Sequence, residues 1–409
     1  MSSESQRKSS NSSQNDTNIN TTLIPSPPSS PVLHSSSAPP TLLESLKIIF
    51  LSSWINVLLI FVPLGYIAFG LKWSNTLVFV LNFLAIIPLS KLLEFATEDI
   101  GLRIGQTSGV LKATFGNAAE LIVSIIALKE GQIRVVQASI LGSIISDLLL
   151  VLGLCFVMVG IYHKEQNFNM TAAQTSSSLM ALACIGLIIP AAFISSVKNA
   201  EIIQTGSDHT SELLNLSHGT AIIFLIIYVL YLLFQLKTHT HLYQDEEEIE
   251  NDEQPQLTFT ISLLLLIVVT VAVSFSAEYL VSSIEGIVDT FGLSKTFIGL
   301  ILLPIVGKAP ELLTVAMKNK MDLAINIAAD SSMQTALFIS PLLVILGWIT
   351  GQQMTMFFQT FETIALFISV LIINYLIQGG QSNWLKGAML LVTYIIIALA
   401  FFFYPNNDK

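Results

Sequence analysis

Two glutamates set inside apolar sequence carry the chemistry this chain could perform. Glu120 lies in FGNAAELIVSIIALKEGQIRVVQASILGSIISDLLLVLG (115–153), and Glu311 lies in VGKAPELLTVAMKNKMDLAINIAADSSMQTALFISPLLVILG (306–347). Each is preceded by a glycine one helical turn earlier, Gly116 and Gly307. An ionised carboxylate at the middle of a bilayer is expensive, so such a residue is functional by default. A glycine one turn before it permits a bend and frees backbone carbonyls. Asn117, Ser143, Ser146, Ser331, Ser332 and Gln334 add neutral oxygens close by. Two carboxylates with several neutral oxygens form a hard ligand set of the kind that suits Ca2+. The blander alternative is that these polar groups hold helices together. A carboxylate site also accounts for exchange. Burial favours the protonated carboxyl and a bound cation favours the ionised one, so protons and cations compete for the same oxygens. A proton gradient then drives transport without ATP.

The elements that must position these residues follow from composition. Of 409 residues, 53% are hydrophobic and 11% charged, with a mean hydropathy of +0.71. A soluble domain is about a quarter charged; this chain needs lipid around it. A span takes roughly 20 apolar residues, and that window gives about eleven: near 48–70, 74–97, 107–128, 134–160, 171–194, 217–237, 258–280, 294–317, 322–349, 356–377 and 385–404. Without alternating barrel patterning, these spans must be helices that satisfy their own backbone groups. Cys155 and Cys184 sit in apolar runs, too few for a disulfide framework or a thiolate metal site. Residues 1–41 are rich in Ser and Pro and are expected to be disordered.

The two motif regions are copies of one unit, five spans apart. An odd separation brings the second copy into the membrane from the opposite side, the inverted-repeat design of secondary transporters. The expected fold is an all-α polytopic membrane protein. A first helix (42–72) is followed by one five-helix repeat (73–240), an acidic linker (241–257) and a second five-helix repeat (258–405). The linker carries Asp245, Glu246, Glu247, Glu248, Glu250, Asp252 and Glu253, a solvated divider or a surface that attracts cations. With the amino terminus in the cytosol, ten Lys and Arg fall on the cytosolic side and six on the other, a positive-inside bias that puts the carboxyl terminus in the lumen. No nucleophile–base pair or nucleotide loop suggests an enzyme.

GNAAELIVSIIAL (116–128), QTSSSLMAL (174–182), YLLFQLKTH (231–239), SKTFIGLILLPIVG (294–307) and SNWLKGAML (382–390) resemble the cation/proton exchanger family of the calcium/cation antiporter superfamily, above all the vacuolar calcium/proton exchangers of fungi. The resemblance runs from 42 to 404. It implies eleven spans, metal binding by Glu120 and Glu311, an acidic cytosolic segment at Asp245–Glu253, a vacuolar membrane, and no cofactor beyond the transported Ca2+ and H+. The partners implied are membrane lipid and these two ions, without nucleic acid; a homo-oligomer is left open. Other cations, Mn2+ or Na+, are the alternative substrates.

Several positions depart from the family pattern. The second motif usually reads GNAAEH, so Lys308, Pro310 and Leu312 are changes; Asp330 replaces a Gly before the Ser pair and Asp147 an Asn in the first repeat. Pro310 suits a helix already interrupted at Gly307. Lys308 would place an ammonium one turn from Glu311, which suggests either a weakened, regulatory exchanger or a compensated one. In the compensated form Lys308 pairs with Asp330 and Asp147 becomes an extra ligand.

Overall fold

The apolar runs form helices because lipid offers no partner for backbone N–H and C=O groups. The computed structural model describes residues 40–104, 115–162, 165–201, 210–240, 254–308 and 321–404. In chain order the helices are α1 (Leu42–Leu51), α2 (Trp54–Gly70), α3 (Asn75–Ile104), α4 (Ala118–Lys129), α5 (Ile133–Ile161) and α6 (Met170–Glu201). They continue with α7 (Ser211–Thr238), α8 (Phe259–Phe291), α9 (295–308), α10 (Ile325–Thr350), α11 (Thr360–Ile377) and α12 (Trp384–Phe402). Among the described residues, eight helices are long and apolar enough to cross a membrane, and nine if α1 and α2 form one span bent by 101°. The expected straight span at 48–70 is therefore broken. Ser52 and Ser53 interrupt it, and Ser53 caps the new helix by accepting from Ile55 N–H. The expected spans at 107–128 and 294–317 run partly outside the described residues, and the tail to residue 39 and the acidic residues 245–253 lie wholly outside them.

Depth in the bundle separates inner from outer helices. The most apolar windows of α3, α5 and α10 are 61–67% buried, against 22–28% for α7, α8 and α12. Along α7 the exposed residues include Ile222, Ile223, Ile226, Val229 and Leu230, and along α12 Val392, Ile395, Ile396 and Leu399. Large apolar side chains facing outward on a hydropathic helix belong against hydrocarbon. Inside, Val135, Val136, Leu141, Ile144, Ile145 and Leu149 of α5 are fully buried at the centre of the main core. Cys155 and Cys184 are buried there. A two-residue antiparallel pairing, β1 (Gln166–Asn167) with β2 (Gln381–Ser382), ties the α5–α6 connection to the α11–α12 connection. Asp99 of α3 accepts from the backbone N–H of Gln256 (2.6 Å) and Leu257 (3.1 Å) and from Ser262 Oγ (2.6 Å). That bond set fixes the chain as it leaves the acidic segment.

Close helix contact is made by small residues, as membrane packing favours. A Cβ added at Gly142 of α5 would lie 2.1 Å from the carbonyl oxygen of Leu300 in α9, and one at Gly299 would meet Val135 O and Ala138 Cβ at 2.8 Å. The two glycines let the α5 and α9 backbones touch. Both helices also contain a widened π segment, Ser146–Val151 in α5 and Ile298–Leu302 in α9, and α10 has one at Thr335–Ile339. Such bulges concentrate at functional sites. Gly142→Ala should push α5 from α9 and lower the melting temperature of the detergent-solubilised protein by several degrees, an overpacking cost of about 1–3 kcal/mol. Gly219→Ala, in open space on α7, should leave it unchanged or raise it.

Candidate functional site

The first motif interrupts the helix path at Gly116–Asn117, an exposed Gly and a buried Asn in a turn, and α4 begins at Ala118. Glu120 sits in the first turn of α4, where the helix dipole favours a negative charge. Its side chain is 12% exposed. Ser143 of α5 donates to Glu120 Oε2 at 2.7 Å. The second motif reaches the same place from α9. Gly307 remains helical in place of the expected bend, and its contribution is space: a Cβ there would lie 2.7 Å from Glu120 Oε1 and 2.8 Å from Cγ.

Lys308 is fully buried. Its Nζ lies 3.1 Å from Glu120 Oε1 and 3.1 Å from Asp147 Oδ2, and it donates to Ser331 Oγ at 2.7 Å and Asn117 Oδ1 at 3.1 Å. The approach to Glu120 lacks hydrogen-bond geometry and leaves Oε1 without a hydrogen-bond partner. The expected pairing with Asp330 is not what forms. Asp330 accepts from Tyr231 OH (2.5 Å) and from Gln235 Nε2 (2.9 Å) of α7. Successive residues of a helix point about 100° apart, so Ser331 faces Lys308 while Asp330 is turned to α7. The compensating acid is Asp147, itself fully buried.

Asn117 ties the halves together. Its Nδ2 donates to Gln334 Oε1 (3.1 Å) and Ser331 O (3.2 Å), and its Oδ1 accepts from Ser331 Oγ (3.1 Å). Of the candidates named from sequence, Glu120, Asn117, Ser143, Gly307, Lys308, Asp147, Ser331 and Gln334 meet in one chamber. Ser332 is at its edge, 3.5 Å from Asp147 Oδ2. Ser146 turns to Tyr394 OH of α12 at 3.2 Å. Glu311, Pro310 and the acidic segment lie outside the described residues. Tyr231, Gln235 and Tyr394 were not anticipated; a glutamine within the apolar run of α7 was the one signal available for them. Beside Glu120 a small cavity of about 20 Å³ is lined by Ile86, Val123, Ser139, Leu280, Leu303 and Val306 among others. Among the described residues no three His, Cys, Asp or Glu side chains cluster as a metal site.

A helical membrane protein that buries charged groups where interrupted and bulged helices meet has the build of a secondary transporter. The chain belongs to the sodium/calcium exchanger protein family, whose model matches residues 74–237 and 261–403. It is 47% identical over 365 residues to a vacuolar calcium ion transporter of Schizosaccharomyces pombe, covering 88% of this chain and 87% of that one. To a Ca(2+)/H(+) antiporter of Aphanothece halophytica it is 43% identical over 367 residues, covering 85% and 96%. The solved structure of native YfkE superposes with a TM-score of 0.72 at 34% identity, covering 86% of this chain and all of that one.

Asn117→Ala should strip partners from Lys308, Ser331 and Gln334 together and cost at least about 1–3 kcal/mol per buried group left unsatisfied. Ser146→Ala, which loses only the Tyr394 contact, should cost about 1 kcal/mol. Thermal melting of the two variants in detergent measures the contrast.

Proposed function

We propose that this chain exchanges Ca2+ for protons across an acidic-organelle membrane of vacuolar type, with Glu120 as the carboxylate for which the two ions compete. The observation that carries this reading is the placement of Glu120. It lies at a helix start within an apolar bundle, beside a cavity, with Ser143 on one oxygen and the other in ion-pair contact with Lys308 while accepting no hydrogen bond. The names of the relatives supply the substrates: vacuolar calcium ion transporter for the fungal protein and Ca(2+)/H(+) antiporter for the cyanobacterial one. In this reading Asn117, Ser143, Ser331 and Gln334 join Glu120 around the cation. Gly116 contributes backbone oxygen, Gly307 makes room, and Ser332 and Ser146 act from the periphery. Glu311 is the second carboxylate by the logic of the repeat. The two five-helix repeats are inverted, the amino terminus and acidic linker are cytosolic, and the carboxyl terminus is luminal.

A proton on Glu120 removes the charge that attracts the cation, and a bound cation removes the charge that attracts the proton. Each ion therefore leaves as the other arrives, and the outcome follows their relative concentrations on the open side.

The test is proton efflux from vesicles reconstituted with the full chain under an imposed pH gradient, with Ca2+, Mn2+ and Na+ compared as counter-ions. Ca2+ should drive the largest efflux, and Glu120→Gln should abolish it while leaving helicity and detergent monodispersity intact. Gly307→Ala should fold but displace the Glu120 carboxylate, reducing flux by roughly a hundredfold, the scale of an ångström-sized misplacement. Efflux in Glu120→Gln equal to that of the unmodified chain would sink this function.

A further inference from the structure

Lys308 is the only fully buried Lys or Arg among the described residues. Its ammonium has an oxygen shell drawn from three places: Asn117 Oδ1 (3.1 Å) and Glu120 Oε1 (3.1 Å) at the start of α4, Asp147 Oδ2 (3.1 Å) in α5 and Ser331 Oγ (2.7 Å) in α10. Two carboxylate oxygens and two neutral oxygens are the donor types a hard cation takes, and three of these residues are the ones assigned to the substrate cation above. An ammonium and a metal ion cannot occupy the same oxygens together.

We propose that Lys308 is a tethered cation: its ammonium fills the oxygen shell when substrate is absent, and the substrate cation binds by displacing it. The proposal rests on the exchange reading given above and adds a built-in competitor to it. The two carboxylates lie at the same ion-pair distance from Lys308, 3.1 Å, and differ in their surroundings. Glu120 is partly exposed and lines the cavity, whereas Asp147 is fully buried, so Glu120 is the easier one to release. Asp147, fully buried and 3.1 Å from the ammonium, is the partner that keeps Lys308 neutralised once Glu120 has turned to the cation. A divalent ion gains twice the attraction of a monovalent one from the same carboxylate. An internal ammonium therefore excludes Na+ and K+ more effectively than Ca2+. Lys308 is in this sense a specificity-determining residue.

The experiment measures Ca2+-driven proton efflux and its half-saturating Ca2+ concentration in vesicles carrying the full chain. Lys308→Met keeps most of the length of the side chain and removes its charge. It should lower the half-saturating concentration about tenfold or more, since a like charge at contact distance is gone, and should narrow the preference for Ca2+ over Na+. Asp147→Asn should raise that concentration by a similar factor, because the ammonium then settles on Glu120. The double variant should return to the unmodified value or below it. A merely structural lysine would alter the amount of folded protein and not the half-saturating concentration.

A second readout uses the unmodified protein in detergent. Amine-reactive labelling of Lys308, followed by mass spectrometry, should rise severalfold on adding Ca2+ and should not rise in Glu120→Gln. Labelling indifferent to Ca2+ overturns the tethered cation even if Lys308→Met fails to fold. Glu120-dependent efflux with the same half-saturating concentration in the unmodified chain and Lys308→Met also overturns it and leaves the exchange reading standing. No Glu120-dependent efflux in any variant, Lys308→Met included, removes the exchange reading itself.

Discussion

Charges buried in a bundle surrounded by hydrocarbon persist only as a closed set, because each one left unpaired costs several kcal/mol. Lys308, Glu120 and Asp147 approach such a set, joined by hydrogen bonds to Asn117, Ser331 and Ser143, and carry one net negative charge among the described residues. That requirement dictates the packing around it. The residues come from α4, α5, α9 and α10, so these helices must approach within hydrogen-bond reach at one depth. Gly142 and Gly299 bring α5 and α9 to backbone contact, and Gly307 allows Glu120 to lie where a methyl group would otherwise be. The π segments of α5, α9 and α10 start or run within a turn or two of these contacts. A widened turn reorients the side chains that follow it, which separates the polar face of each helix from its packing face.

The outer helices serve a different constraint. Alpha helices α7, α8 and α12 present large aliphatic residues outward and contribute few groups to the chamber. Where they do contribute, the contact holds an inner residue in orientation: Tyr231 and Gln235 secure Asp330, and Tyr394 meets Ser146. Polar residues on these helices find partners inward or, as Thr220, Thr270 and Thr393 do, on a carbonyl one turn back along their own helix.

Much of this was legible in the sequence because lipid imposes simple rules. Span lengths and the number of apolar runs follow from bilayer thickness, and eight runs stand as spanning helices among the described residues. The motif copies identified Glu120, Asn117, Ser143, Ser331 and Gln334, since a polar residue in an apolar run has few alternatives to a shared site. What one dimension hides is azimuth. Asp330 and Ser331 are adjacent in sequence but face different helices, so the choice of Asp330 as partner for Lys308 could not be separated from Asp147 by charge counting. The break between α1 and α2 was hidden for a related reason: hydropathy averaged across Ser52 and Ser53 reads as continuous, although local capping by Ser53 turns the chain by 101°.

The pairing that does form also changes what the substitutions mean. Had Lys308 joined Asp330, its charge would have been neutralised away from Glu120, leaving Asp147 as an additional acid in the site. With Asp147 as partner, the two substitutions cancel where they stand, +1 against −1, and the charge of Glu120 remains as the net local charge among the described residues. Cancellation in charge is not cancellation in space. The ammonium still lies between the two carboxylates and uses oxygens that Asn117 and Ser331 would offer to any other cation. In the exchange we propose, the chamber keeps the electrostatic sign that attracts a divalent ion while setting an occupant in its path, and the strength of binding becomes a difference between two cations rather than the property of one.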